Sequence, residues 1–395
     1  MADTQEQLLT LVTSLLGTDY IRAVRNPGSV PESVNILVSN AFPAVSPFRN
    51  LCINGDMQVA QRSTSVAGIT TVNYYTLDRW VADPSSLGTW TMSQDTDVPT
   101  GEGVRSSMKF LCTTADAAPA ASDYFTINQR LEGRHLQRLR KGTSSAQTLF
   151  LSFWVKSNRT GTYITELYDI DNTRQISKSF TISTANTWEL KSISFAGDTS
   201  GILDNDSNMS LILLIWCAAG STFTSGVLNT NWGAAVNANR AVGQVNLGGA
   251  INNYINIAKV QLEHTVATDF EFLPFETQLL RCKRYYQKTF AYEVAPVQNV
   301  GSTLNALRSL AGKAGALGQY GAWRFQVSMR TTPGVVTTYN PLAANAQMRD
   351  VDAGADCSAT ATAAGAEEIL LSATGNASTA VGNALSVHIT ADAEL

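Results

Sequence analysis

Among the 395 residues, three kinds of grouping have types and spacings that could support chemistry: a serine loop, acidic turns and scattered tryptophans. The loop Gly197-Asp198-Thr199-Ser200-Gly201 sets a hydroxyl two residues from a carboxylate, which invites comparison with a hydrolytic nucleophile. A serine nucleophile also needs a positioned base. Only His135, His264 and His388 could serve, and no G-x-S-x-G elbow is present. A β-turn explains the same residues, so nucleophilic catalysis is not expected. Asp169-Ile170-Asp171-Asn172 and Asp204-Asn205-Asp206-Ser207-Asn208 offer oxygen ligands of the kind Ca²⁺ takes. In the second, Met209 stands where an EF-hand loop needs glycine and Ile215 where it needs a bidentate glutamate. Both read as polar turns; a structural Ca²⁺ is the one cofactor the pattern leaves open. A glycosidase needs two carboxylates facing each other across a sugar, and the acidic residues here are singles with no repeat to align them. No catalytic residue is therefore expected.

Ligand contact falls more naturally to the seven tryptophans, since an exposed ring face stacks on a sugar. Trp80, Trp154, Trp188 and Trp216 sit in apolar or alternating contexts and are expected in the core. Trp90, Trp232 and Trp323 lie among Gly, Asn, Ala and Thr, as loop or rim residues do. Asn231 with Trp232 pairs an amide with an aromatic plate, so Asn231, Trp232, Trp90 and Trp323 are the candidate saccharide contacts. The competing reading of Trp232 is a ring tucked under its own loop.

These groups need elements to hold them, and the pattern is of strands. From about Asn50 to Pro274, short β-prone runs alternate with turn signals such as Ser157-Asn158 and Asp204-Asn205, which predicts a sandwich. Leu149, Leu151, Phe153 and Val155 share one strand face; Ala258, Val260 and Leu262 point in while Lys259, Gln261 and Glu263 point out. Leu211 to Trp216 is apolar on both faces and predicts a central strand. Phe275 to Gln287 predicts a short helix, with Leu279, Cys282 and Tyr286 on one side. Beyond it, the alternation of Phe325, Val327 and Met329 predicts a strand, as do Val335 to Tyr339 and Leu385 to Ile389. The Ala/Gly/Thr-rich stretch from Ala353 to Ala366 is expected to be a mobile loop or to pack on a neighbouring chain.

The first residues stand apart. Thr4 and Gln7 form a capping box, and Leu8, Leu9, Val12, Leu15 and Leu16 recur at helical spacing until Gly17. A helix of about twelve residues is marginal alone, so its stripe must pack on symmetry mates or on a docking partner. Asp19 to Val24, with Tyr20 and Arg22, reads as a strand, and Ser39 to Pro47 as an extended linker. The expected organisation is residues 1–47 as a docking and oligomerisation segment, 48–278 as a β-sandwich, and 279–395 as a smaller β domain opened by the helix.

Composition narrows the partners. Charged residues make up 15% of the chain and the net charge is -4, which leaves no concentrated basic surface for nucleic acid. The one basic cluster, Arg134 to Lys141, is short enough to be a solvated strand or turn edge. No secretory signal is read at Met1-Ala2-Asp3-Thr4, and the run Leu211 to Ala219 is too short to cross a bilayer, so no membrane insertion is expected. The five cysteines are scattered and form no C-x-x-C pair, which predicts buried free thiols for most.

Several ordered motifs resemble one family. Ile53-Asn54-Gly55-Asp56-Met57-Gln58-Val59-Ala60-Gln61-Arg62 followed by Leu77-Asp78-Arg79-Trp80 is similar to the opening of a carbohydrate-binding-module-like jelly roll found in structural proteins of tailed bacteriophages. Val260-Gln261-Leu262-Glu263, Ala267-Thr268-Asp269-Phe270-Glu271, Cys282-Lys283-Arg284-Tyr285-Tyr286-Gln287 and the terminal Thr390-Ala391-Asp392-Ala393-Glu394-Leu395 resemble its later segments. Gly17 to Arg25 resembles the N-terminal regions of phage tail proteins. The resemblance implies an all-β, non-catalytic virion part, made in the host cytoplasm. Its leading form is a tail fibre, trimeric, docked on tail adaptor or portal-proximal proteins and offering its β domains to a host surface glycan. Docking would fall to Leu8, Leu9, Val12, Leu15, Leu16, Tyr20 and Arg22. A capsid decoration protein and an accessory carbohydrate-active module are the alternatives. In this family reading Asn54-Gly55 is a hairpin turn, Trp80 a core plug, and Phe270, Phe272 and Phe275 an apolar seal between domains.

Overall fold

Strict alternation along Leu149–Ser157 buries every second side chain, which fixes one inward and one outward face for the sheet that contains it. The computed structural model describes residues 20–25, 32–37 and 48–395 other than 317. Two strands belong to the N-terminal unit, β1 (Tyr20–Arg25) and β2 (Glu32–Leu37), paired antiparallel with Tyr20 opposite Leu37. Tyr20 and Arg22 thus lie on a hairpin strand. The expected helix with Leu8, Leu9, Val12, Leu15 and Leu16 lies outside the described residues.

The sandwich comprises β3 (Ser65–Ile69), β4 (Val81–Ser85), β5 (Thr89–Asp95), β6 (Ser107–Thr114), β7 (Tyr124–Glu132), β8 (Leu149–Ser157), β9 (Gly161–Asp169), β10 (Arg174–Ile182), β11 (Glu189–Phe195) and β12 (Met209–Ala219). After the short helix α1 (Ser221–Thr224) come β13 (Gly233–Ala234) and β14 (Tyr254–His264). One sheet runs β13-β10-β9-β12-β7-β4 and the other β11-β8-β14-β6-β5-β3. As read from its apolar faces, β12 is central, between β9 and β7. Trp80, Trp90, Phe110, Phe125, Phe153, Tyr163 and Phe195 fill the space between the sheets, each fully buried. Burial of each such side chain stabilises by roughly 1.5–3 kcal/mol.

The protein is all-β in plan, with a second and smaller core. It follows α2 (Phe275–Lys283) and is built from β15 (Tyr286–Lys288), β16 (Leu307–Leu310), β17 (Gly318–Arg324), β18 (Val335–Tyr339), β19 (Met348–Asp350), β20 (Ala355–Ala363), β21 (Glu368–Thr374) and β22 (Ala384–Asp392). Strand β22 pairs with β15, β16, β18 and β19 and buries both faces, so Leu385, Val387 and Ile389 anchor this core. Residues Asn50–Leu395 form one contact unit, and Ile53, Val59, Cys282 and Tyr285 cluster where α2 meets the sandwich.

Several expectations change. Phe325 to Arg330 is not a strand; its neighbours Gly318–Arg324 form β17 instead, because Trp323, not Met329, reaches the register of β21. The Ala/Thr-rich stretch is neither loop nor free edge, since Ala355–Ala363 is β20, held between β19 and β21. Asn54-Gly55 is not a hairpin turn but a buried knot. The Asn54 amide donates to Val59 O at 2.8 Å and Asp78 O at 3.0 Å, and a Cβ on Gly55 would stand 2.1 Å from Val260 O. Gln261 and Glu263, read as outward, are buried because the segment 268–271 covers them: Glu271 N donates to Gln261 Oε1 at 2.7 Å and Thr268 N to Glu263 Oε1 at 2.7 Å. Phe272 and Phe275 are 49% and 37% exposed and so seal nothing. All five cysteines are buried and free.

The C-terminal residues close the two cores together through an ionic clasp. Arg79, 1% exposed, pairs with Glu394 and lies 3.6 Å over the Tyr285 ring. Arg62 reaches Asp392 at 2.9 Å and Glu394 at 3.4 Å, and Arg330 donates to Ala393 O at 2.8 Å and Glu394 O at 3.0 Å. Removing one member of a buried pair leaves an uncompensated charge, which costs about 3–5 kcal/mol. Glu394→Ala should therefore destabilise the protein by about 3 kcal/mol in urea unfolding, while the double change Arg79→Met with Glu394→Leu should recover most of it. Equal losses in both variants would show that the pair does not act as a unit.

Candidate functional site

Outward-facing residues on a half-buried sheet should be polar and solvated. On the outer face of β4, β7, β12 and β9 they are instead aromatic and charged, and they are partly enclosed. The strand register sets them in rows: Asp83 beside Thr126, Thr126 opposite Trp216, and Trp216 opposite Ile164. In the next row Asn128 faces Leu214, which faces Glu166; in the third Arg130 faces Ile212, which faces Tyr168. Helix α1 and the segment 237–240 fold back over one side and leave a trough of about 340 Å³.

Its floor is an ion pair under aromatic cover. Glu166 is fully buried and accepts the Trp216 indole N–H at 2.9 Å. Burial pushes the Glu166 carboxyl up from its ordinary range, and Arg240 and the Trp216 hydrogen bond oppose that shift. The Arg240 guanidinium binds both carboxylate oxygens, with contacts at 2.9, 3.2 and 3.1 Å. The same guanidinium lies 4.7 Å over the Tyr168 ring and 5.2 Å over Trp216. Phe223 and Tyr124 pack edge to face at 5.3 Å, and both touch Trp216. Trp216 itself is 1% exposed, so Tyr124 and Tyr168, both half-buried, are the rings presented to the trough.

Polar groups sit among these rings. Asn128 is 2% exposed, and its buried Oδ1 has no hydrogen-bond partner among the described residues. Burial raises the Asp83 carboxyl above its ordinary range, Arg130 opposing, and Tyr124 Oη donates to Asp83 at 3.5 Å. Aromatic plates beside fixed acceptors and a guanidinium can hold a hydroxyl-rich ring by stacking and hydrogen bonding.

The sequence candidates lie elsewhere. Trp90 is a correction: it is fully buried, donates to Leu87 O at 2.7 Å and packs 4.2 Å from Phe125, so it offers no face to a ligand. Trp232 is half-buried against segments distant in sequence rather than under its own loop. Its indole N–H donates to Ala196 O at 2.7 Å and the Lys141 ammonium lies 4.7 Å over its ring, so both binding features are turned inward; Asn231 beside it is exposed. Trp323 is half-buried in the second core, edge to face with Phe325 at 5.2 Å. Trp80 and Trp216 are buried as expected, whereas Trp154 and Trp188 are half-exposed.

The first acidic turn and the 197–201 loop meet around an internal cation. Lys141, expected to be solvated, pairs with Asp169 and with Asp198 at 2.8 Å, and donates to Gly201 O at 3.0 Å. Arg174 completes the set with Asp198 at 2.7 Å. The ammonium thus occupies the space between the carboxylates. Among the described residues, no group of three or more His, Cys, Asp or Glu is arranged to hold a metal.

Tyr124, Asn128, Glu166, Tyr168 and Arg240 were not singled out from sequence. A signal exists in Tyr124-x-Thr126-x-Asn128-x-Arg130, where every second residue of an otherwise apolar strand is polar or aromatic. No protein-family model matches the chain, and no curated protein matches it. Solved structures similar to it include the enzymatically active domain of tailspike protein 4 of bacteriophage CBA120, at 14% identity and a TM-score of 0.30, over 56% of this chain and 22% of that one. TmCBM61, solved with β-1,4-galactotriose, matches at 11% identity and a TM-score of 0.28, over 55% and 99%. The family 11 carbohydrate-binding module of Lic26A-Cel5E from Clostridium thermocellum matches at 14% and 0.26, over 51% and 98%. The fold is a two-sheet β-sandwich with an appended β unit.

If Arg240 neutralises Glu166, then Arg240→Ala strands a buried carboxylate and should cost about 3 kcal/mol at pH 7. In that variant the folded carboxyl titrates still higher, so the native state binds the proton more tightly than the unfolded chain. The deficit is then smallest below the unfolded value and grows as pH rises through the folded one. Urea unfolding at pH 7 and pH 5 should show a smaller deficit at pH 5; an equal deficit at both would mean that Glu166 is not the group stranded.

Proposed function

We propose that this chain is a saccharide-binding tail fibre of a tailed bacteriophage. Its trough holds a host surface glycan, and residues 1–47 dock it to the particle. The observation that carries the glycan reading is the outer-face trough itself, where the half-buried Tyr124 and Tyr168 rings lie beside Asp83, Arg130 and the guanidinium of Arg240. A bound sugar ring can stack on such rings and bond such polar groups. The phage context is supported by the ordered sequence motifs and by the resemblance of Gly17 to Arg25 to tail-protein N-termini. A homotrimer fits this reading, because three weak sites on one fibre raise avidity without new contacts. The protein binds sugar without cutting it, and its partners are other virion proteins at the docking end.

Two experiments test the two halves. On an array of host surface glycans, Tyr168→Ala should lower binding about tenfold or more, the loss of a stacked ring being worth about 1–2 kcal/mol, with the melting temperature little changed. Binding that survives Tyr168→Ala at full strength would remove the trough as the site. For docking, a chain lacking residues 1–47 should fold yet fail to join particles, and antibody-gold should label the tail of intact phage. Normal incorporation of the truncated chain, or label spread over the head, would overturn the tail-fibre reading.

A further inference from the structure

A second cavity, of about 450 Å³, opens where α2, the residues after β15, β16 and β17 come together. Three cations line it, Lys283, Lys288 and Arg308, with the Trp323 ring and the amides of Gln326 and Asn305; no carboxylate lines it. Among nearby cations, Arg62 is matched by Asp392, Arg79 by Glu394 and Arg284 by Glu132 at 2.6 Å, while Arg330 is held by the main-chain carbonyls of Ala393 and Glu394. Those of the cavity have no ion pair among the described residues. Lys288 donates its three protons to main-chain carbonyls, to Gln61 O at 2.6 Å and to Tyr292 O and Val294 O at 2.8 Å. Carbonyls satisfy its donors, and burial lowers the Lys288 ammonium to about 8, with the charges of Asp78 and Glu293 opposing the shift and that of Lys283 adding to it. Lys283 donates only to the Gln326 side chain, and Arg308 is exposed and bonds Thr303 O at 3.1 Å and its Oγ1 at 2.7 Å.

Partly buried positive charge with no carboxylate bonded to it is costly, and a bound anion relieves it. We propose that this cavity binds an acidic sugar unit, with a ring carboxylate drawn to Lys283 and Arg308 in the field of Lys288 and the sugar ring set against Trp323. Lys288 acts through its charge, since its protons are already donated, whereas Lys283 and Arg308 supply the hydrogen bonds. The volume suits one or two sugar rings. The amides of Gln326 and Asn305 can meet hydroxyls. The site is distinct from the trough, its ligand class is different, and it does not depend on the reading of the trough.

Calorimetric titration of the full chain with D-glucuronate, N-acetylneuraminate, glucose and inorganic phosphate tests this. An acidic sugar should bind and glucose should not. Arg308→Gln, at an exposed position that the fold does not need, should weaken acidic-sugar binding about fivefold to tenfold. Trp323→Phe should weaken the acidic sugar but leave phosphate unchanged. Affinity should fall severalfold between pH 7 and pH 9 as Lys288 loses its proton, and Tyr168→Ala should have no effect. Phosphate binding as tightly as glucuronate would mean an inorganic-anion site and overturn the sugar assignment. Equal binding of glucose, or no response to Arg308→Gln, would overturn the anion site.

Discussion

A carboxylate inside an apolar cluster must be neutralised or lose its charge, and Glu166 meets that constraint on the outer face of a sheet. Its cation, Arg240, comes from a segment that main-chain bonds also tie to the sheet and to α1, Val245 N to Thr162 O at 2.8 Å and Ala241 N to Phe223 O at 2.9 Å. The bidentate contact completes that docking. Phe223 on α1 covers Trp216, and the guanidinium lies over the Tyr168 ring. The pair thus sets the charge of the trough's floor. Without Arg240 the floor would hold a stranded acid.

The same physics recurs at two other places with different results. In the clasp, Arg62 and Arg79 take the carboxylates of Asp392 and Glu394 and lock the end of β22 against the sandwich, so the two cores share one unit. Beside Trp232, Lys141 fills the space between Asp169 and Asp198, and the turns close on an ammonium. In both, the charges are matched within the chain. The cavity near Trp323 differs because its cations bond carbonyls, an amide and a hydroxyl, and no carboxylate lines it. Matched pairs shape the fold, and the unmatched cations mark where an outside anion fits.

Much of the fold was legible because strands announce themselves by alternation. Leu149–Val155 is legible from its period, the central Leu211–Trp216 from being apolar on both faces, and β18 from Val335 to Tyr339. Buried cysteines followed from their scatter. What failed depended on contacts distant in sequence. Gln261 and Glu263 look outward by parity, yet the segment at 268–271 returns to cover them. Trp90 has loop-like neighbours but lies in the core, because β5 carries it inward beside Phe125. The trough was missed for the same reason. Tyr124, Glu166 and Arg240 are tens of residues apart, and only the β7-β12-β9 register and the return of the 237–240 segment bring them together. Local pattern gives faces; it does not say which face is covered, or by what.

The central claim is that sugar enters the trough, and the buried indole of Trp216 reports on it directly. Its N–H is bonded to Glu166, under Tyr124, Phe223 and Arg240, so a ligand stacking on those groups alters its surroundings. In a ¹⁵N–¹H spectrum of the full chain titrated with oligosaccharides from the host surface, the Trp216 indole signal should move with saturation. The indoles of Trp80 and Trp90, buried between the sheets, should stay in place. Saturable sugar binding with the Trp216 signal unmoved would contradict the account and send the search to another face of the sandwich.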